Sequence, residues 1–483
     1  MVEAELNLQM ATTILDGVPF THRSFNGMLG GPVLRVRPGD LLRVTFRNML
    51  PPNPPRPADL DMNIPHDFNT SNLHMHGFHV SPEGNSDNIF LHVEPGETQV
   101  YEFAIPADHP TGTYFYHPHK HGSVTVQVFS GMAGMVIIEG GIDELPEIQA
   151  AREVLFRLNE VMQNDQGGVP DYTAKNAFRP AWRRMPVNGE MRPTFRIRPG
   201  EVQRWRVVNA GVAWTTPLRI EGHSQHSLAL DGINFPQVVE VPSQVLAPGN
   251  RYDFLLVGGA PGTYRILKDP YQQANPLFGP IAMTPEVELA TLIVEGEPVV
   301  MSLPTVLPTP ASLPDITDDE ITGKRTIDYA TQFDKGGPSA AFPDNYTVDG
   351  FRFDANAPGQ VVPLGAVEEW TVRSVVADTE HPFHIHINPF QVVAINGNPV
   401  PPRWQDTVIL PMGGSVTLRT RFLDFTGRFV HHCHMLAHED LGMMQNVEVV
   451  APGARASVQD IREIGPRYVP PARLEADDWC GDP

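Results

Sequence analysis

Val33-Leu34-Arg35-Val36-Arg37-Pro38-Gly39-Asp40 alternates apolar and polar side chains and then turns on a glycine. Alternation with a period of two marks a strand with one buried face. The pattern returns as Phe195-Arg196-Ile197-Arg198-Pro199-Gly200-Glu201, and more loosely as Val361-Val362-Pro363-Leu364-Gly365 followed by Glu369-Trp370-Thr371-Val372. The turn glycines Gly39, Gly200 and Gly365 lie 161 and 165 residues apart.

A second landmark, a glycine turn leading through a strand to glycine and an aromatic, comes later inside each copy. It runs from Pro95-Gly96 to Gly112-Thr113-Tyr114, from Pro248-Gly249 to Gly262-Thr263-Tyr264, and from Gly413-Gly414 to Gly427-Arg428-Phe429. Two landmarks kept in the same order three times predict an all-β chain of three homologous β-sandwich domains. The 49 Pro and 41 Gly, spread between short Val/Ile/Thr/Phe-rich runs, also favour many short strands over helices. Composition shifts near Gly140–Ala151 and Leu303–Asp319 place the domains at 1–142, 143–310 and 311–483.

The residues after the second landmark differ between copies. Tyr114 leads into Phe115-Tyr116-His117-Pro118-His119, and Phe429 into Val430-His431-His432-Cys433-His434, whereas Tyr264 leads only into Arg265-Ile266-Leu267-Lys268. The outer domains are therefore expected to carry metal ligands, with the middle one a copper-free spacer. Within residues 431–444, Cys433, His438 and Met443 supply a thiolate, an imidazole and a thioether, the donor types of an electron-transfer copper site that needs one more imidazole. On an extended chain His432 and His434 point away from Cys433, so one strand would serve two metal sites back to back.

Nineteen histidines occur, and four His-X-His units stand out: His74-Met75-His76, His117-Pro118-His119, His384-Ile385-His386 and His432-Cys433-His434. Residues i and i+2 on a strand share a face but sit roughly 6.5–7 Å apart, which suits two neighbouring ions better than one. Four pairs give eight imidazoles, enough for a three-metal cluster, and His381 and His438 remain to join Cys433 and Met443.

These segments, together with His381-Pro382-Phe383-His384, resemble the motifs of three-domain multicopper oxidases of the bacterial laccase type. The resemblance covers the whole domain plan and implies three consecutive cupredoxin-like Greek-key β-sandwiches holding four copper ions. It implies that His381, Cys433, His438 and axial Met443 hold a type 1 copper, and that His74 and His384 hold a type 2 copper. His76, His117 and His434 would hold one type 3 copper, and His119, His386 and His432 the other.

Dioxygen reduction to water also needs protons. Asp87, eleven residues beyond His76, resembles the acid that follows the first motif in this family, and Glu439 resembles a carboxylate that serves proton delivery in some bacterial relatives. Asp440 is an alternative to Glu439, and Asp406 is read as structural. Ile387 stands where many relatives have glycine.

The net charge of −21 argues against nucleic acid and anionic membranes as partners, and no apolar run is long enough to span a bilayer. Of the two cysteines, Cys433 is surrounded by possible ligands and Cys480 sits in an acidic tail, so a disulfide between them is not expected. The N-terminus shows no basic and apolar leader, so either a signal segment has been cut away or none existed, and the expected location is periplasmic or secreted. The leading reading is a laccase-like oxidase of phenols and aromatic amines, with a monomer favoured. The runner-up is a cuprous or other metal-ion oxidase. A copper-storage array would not need a thiolate wired to a cluster, and a copper nitrite reductase would leave several His-X-His units unexplained.

Overall fold

The computed structural model describes residues 1–170, 180–274, 283–308, 310–332, 345–357 and 359–454. Cys480 and the tail from residue 455 onward lie outside the described residues. The chain is all-β, and six sheets of four to six strands carry the fold.

They form three pairs built to one scheme. Val2–Leu8 runs parallel to Leu42–Asn48, Gln203–Ala210 parallel to Arg152–Asn159, and Gly323–Tyr329 parallel to Glu368–Ser374. In the partner sheets, Leu34–Val36 runs parallel to Val136–Ile138, Thr194–Ile197 to Thr291–Val294, and Gln360–Pro363 to Val447–Val450. Two parallel ladders within otherwise antiparallel sheets, repeated three times, are a cupredoxin-like sandwich in triplicate. The repeated turn glycines have a physical cause. Gly39, Gly200 and Gly365 take φ of 86°, 74° and 93°, a conformation that side chains with a Cβ resist.

Each pair of sheets encloses its own core. Phe46 and Tyr101 anchor the first, Trp205 and Phe254 the second, and Trp370 and Phe390 the third. Cores of this kind lose about 3–5 kcal/mol when a buried tryptophan is cut to alanine. No described helix is long and apolar enough to cross a membrane.

Helices are short and sit where the sandwiches meet. Val124–Phe129 comes after the His117-Pro118-His119 segment, and Leu436–Asp440 after Cys433. The first has no side-chain cap of its own. Asp440 supplies one from the other end of the chain, accepting from the backbone N–H of Thr125 at 2.9 Å and from that of Gly122 at 2.5 Å. This bond pins the first sandwich to the third, so Asp440 is a structural clasp between them.

Candidate metal centre

Strand His74–His76 pairs with Gly112–His117, which sets His74 opposite His117. Strand His381–Ile385 pairs with Gly427–Cys433, which sets His384 opposite His432. Register alone thus lines up the His-X-His units on neighbouring strands of two sheets, and docking of the first sandwich on the third closes them around one space. The donor residues are 3% exposed or less.

Three of the gathered groups share one geometry. His119 Nε2 lies 3.1 Å from His432 Nε2 and 3.1 Å from His386 Nε2, with 3.3 Å between the latter two. Cys433 Sγ lies 3.5 Å from His438 Nδ1 and 3.7 Å from His381 Nδ1, and the two nitrogens are 3.3 Å apart. An ion at the centre of either triangle would sit about 2 Å from each donor, the ordinary metal–nitrogen distance. His76, His117 and His434 converge likewise, with His434 Nε2 at 3.2 Å from His76 Nδ1. His74, His76 and His384 form a further group, as do His74, Asp87 and His386.

The donors suit a soft cation. His74 Nε2, His117 Nε2 and His384 Nε2 are buried with no hydrogen-bond partner among the described residues, a costly state for polar nitrogens unless something else accepts the lone pairs. Burial drives the imidazoles' pKa values down, keeping them neutral and able to donate. Burial also pushes the Cys433 thiol well up, so a thiolate there requires a bound cation. Thiolate with imidazoles in a trigonal arrangement is the donor set that selects copper.

The two adjacent methionines separate. Met443 packs in the third core with Cys433, whereas Met444 packs with Ile89, Phe353 and Val430. The backbone N–H of Cys433 donates to Met443 O at 3.0 Å, which fastens the thioether-bearing segment to the thiolate.

Carboxylates stand behind the imidazoles. Asp87 faces His74 Nδ1 at 3.0 Å and accepts from the backbone N–H of Met75 at 2.9 Å; burial raises its pKa to about 8. Glu439 lies between His432 Nδ1 at 3.0 Å and His119 Nδ1 at 3.4 Å, and its pKa is pushed well up by complete burial. Successive residues of one short helix point about 100° apart. His438, Glu439 and Asp440 therefore reach the thiolate group, the cluster and the neighbouring sandwich from a single turn.

Three features were not foreseen from sequence. His438 is only 3% exposed, and the Tyr346 ring stacks on it with centroids 4.2 Å apart. Ile387 takes φ of 67°, which for a β-branched residue stores about 1–3 kcal/mol of strain beside His386. Its carbonyl accepts from His79 Nδ1 at 2.9 Å, a bond from the first sandwich that holds the turn. The middle sandwich also reaches the cluster. A Cβ on Gly249 would lie 3.0 Å from His76 Cε1 and 3.1 Å from His434 Cδ2, so only glycine lets this turn approach so closely. Gly249 belongs to the second repeated landmark, the one local hint that this turn was special.

Sequence profiles of one family, described as multicopper oxidase, match residues 63–142, 155–281 and 325–452. The chain is 24% identical over 445 residues to the multicopper oxidase mco of Staphylococcus aureus, covering 88% of this chain and 83% of that one. It is 25% identical over 478 residues to a laccase of Bacillus stratosphericus, covering 88% and 90%. Its fold is similar to that of a Campylobacter jejuni multicopper oxidase described as a metallo-oxidase, with a TM-score of 0.75 and 24% identity over 92% of this chain and 91% of that one.

Proposed function

Because the chain belongs to the multicopper oxidase family, and is thus a copper oxidoreductase that uses dioxygen and a reductant, we propose a laccase-like oxidase of phenols and aromatic amines. Its domains are assigned to 1–142, 143–310 and 311–483. Four copper ions would take single electrons from the reductant and pass them to dioxygen, with four electrons and four protons yielding two waters.

His381, Cys433, His438 and Met443 are the residues proposed to hold the type 1 ion. His74 and His384 are assigned to type 2. His76, His117 and His434 are assigned to one type 3 ion, and His119, His386 and His432 to the other. The peptide bonds on either side of Cys433 join it to His432 and His434, giving a covalent path between the two sites. Asp87 is positioned to hold a proton at the distal nitrogen of His74, and Glu439 lies close enough to His119 and His432 to supply protons to that side of the cluster. A monomer in the periplasm or outside the cell fits the family.

The observation that carries the organic reductant is the cover over His438. It is the aromatic ring of Tyr346, in a stretch where no methionine occurs between Ser302 and Pro411. Thioethers suit Cu(I), and that stretch supplies none, while Tyr346, itself only 3% exposed, keeps His438 from direct contact with a metal ion. The second reading, a cuprous or other metal-ion oxidase, is favoured by the likeness to the protein described as a metallo-oxidase. Oxygen uptake with a phenol and with Cu(I), at equal concentration, separates the two. Faster turnover of the phenol without added copper is expected. Faster Cu(I) turnover, or phenol oxidation only with excess copper, would establish the metal-ion oxidase instead.

The axial assignment has its own test. Met443→Leu removes a weak donor and is expected to raise the type 1 potential and loosen that copper. Met444→Leu, in a different apolar cluster, is expected to change the potential little. A redox titration giving the reverse order would reassign the ligand.

A further inference from the structure

We propose that Asp406 selects the nitrogen through which His76 faces the cluster, and that the middle sandwich, which brings no donor to the proposed ligand set, holds Asp406 in place for this task. The inference rests on the ligand assignment above. His76 differs from its partners. His119, His386 and His432 converge through Nε2, whereas His76 turns Nδ1 toward His434 Nε2 at 3.2 Å. Its Nε2 lies 3.2 Å from Asp406 Oδ1. An ionised carboxylate only accepts, so this contact requires the proton on Nε2 and leaves the Nδ1 lone pair free.

The carboxylate is held as an anion by a buried fork. Arg251 donates from Nη1 to Asp406 Oδ1 at 2.7 Å and from Nη2 to Oδ2. Thr407 Oγ1 also donates to Asp406 Oδ1, at 2.9 Å. The backbone at this bend, between strands Asn398–Gln405 and Thr407–Leu410, is fixed from the middle sandwich as well. Asp231 Oδ2 accepts from the N–H of Asp406 at 3.2 Å and of Thr407 at 3.1 Å, and Asn250 Nδ2 donates to Thr407 O at 3.0 Å. Asp231 Oδ1 in turn accepts from the Arg251 N–H at 3.0 Å. The same bend serves a second imidazole through its backbone. His384 Nδ1 donates to Asp406 O at 2.8 Å, which leaves His384 Nε2 as the free nitrogen. Gly77, directly after His76, completes the fit, because a Cβ there would overlap Arg251 Nη2 and lie 2.6 Å from Asp406 Oδ2.

Asp406 is thus a positioning residue, and its test needs a readout other than turnover. Removing Asp406 alone would strand the buried Arg251 charge and risk the fold. The comparison is therefore made between two double variants, Asp406→Asn with Arg251→Met and Asp406→Ala with Arg251→Met. They differ in the carboxamide at position 406, whose oxygen can accept from His76 Nε2, while Thr407 Oγ1, 3.3 Å from that nitrogen, is present in both. Copper per chain is measured together with the electron paramagnetic resonance spectrum, whose silent type 3 pair reports an intact cluster. The type 1 blue band confirms that the third sandwich is folded. The asparagine variant is expected to keep the coupled pair. The alanine variant is expected to hold cluster copper about 10–100-fold more weakly and to show uncoupled copper. Equal retention or equal loss in the two variants overturns the proposal. His76→Phe, measured in parallel, distinguishes this from failure of the ligand assignment: full cluster copper in that variant would remove His76 from the ligand set.

Discussion

Cys433→Ser is expected to abolish both the blue colour and oxidase turnover while leaving the cluster copper bound. The thiol is fully buried, 3.5–3.7 Å from two imidazole nitrogens, in a pocket whose other walls are apolar core. Serine fits the space, so the fold should lose no more than about 1–3 kcal/mol, the cost of a poorly paired buried hydroxyl. A hard hydroxyl cannot replace a soft thiolate, either as a ligand that selects copper or as the covalent start of the path to His432 and His434. Absorption spectroscopy, copper content and oxygen uptake on one preparation check the three parts separately. An undiminished blue band would falsify the type 1 assignment.

Asp87→Asn is expected to slow reoxidation of the reduced enzyme by dioxygen by about 10²–10⁴-fold, the usual contribution of a positioned proton donor. The amide keeps the shape of the carboxylate and the acceptor for the Met75 N–H at 2.9 Å, so copper content should not change. What it loses is the acidic proton beside His74. Asp87 also orients that ring, and the two roles separate by readout. Misorientation would alter copper content and the type 2 resonance signal, whereas loss of proton supply leaves both intact and slows only the reaction with dioxygen. Reoxidation at the wild-type rate would leave Asp87 only its part in orienting His74. Glu439 supplies the contrast, because it spans two imidazoles rather than one and is sealed by the helix that carries it.

Much of this site was legible because its chemistry is written locally. A His-X-His unit on a strand places both imidazoles on one face whatever the rest of the chain does. Cys433 between two such histidines fixes the covalent link between sites without any tertiary information. Met443 and Met444 likewise fall on opposite sides once the chain is extended, and they end in different apolar clusters. Asp87 was legible by its distance from His76, though not its contact with His74 Nδ1. Glu439 was visible only as a neighbour of His438. That it lies between His119 and His432 depends on the first sandwich being docked, more than 300 residues away in sequence, as the 313-residue separation of those two histidines shows.

Strand periodicity, turn glycines and ligand spacing act over a few residues, which is why the all-β class, the threefold repeat and the donor types could be read from the chain alone. The surroundings of those donors came from packing between distant segments. Tyr346 covering His438, Gly249 lying against His76 and His434, and Arg251 and Asp231 holding Asp406 all join residues from separate parts of the chain. Such contacts leave no periodic trace, since one glycine, arginine or aspartate reads alike on a surface turn and in a buried clamp. Their effect comes from burial, where an imidazole's tautomer and a carboxylate's charge are fixed by whichever groups the fold brings within hydrogen-bonding distance.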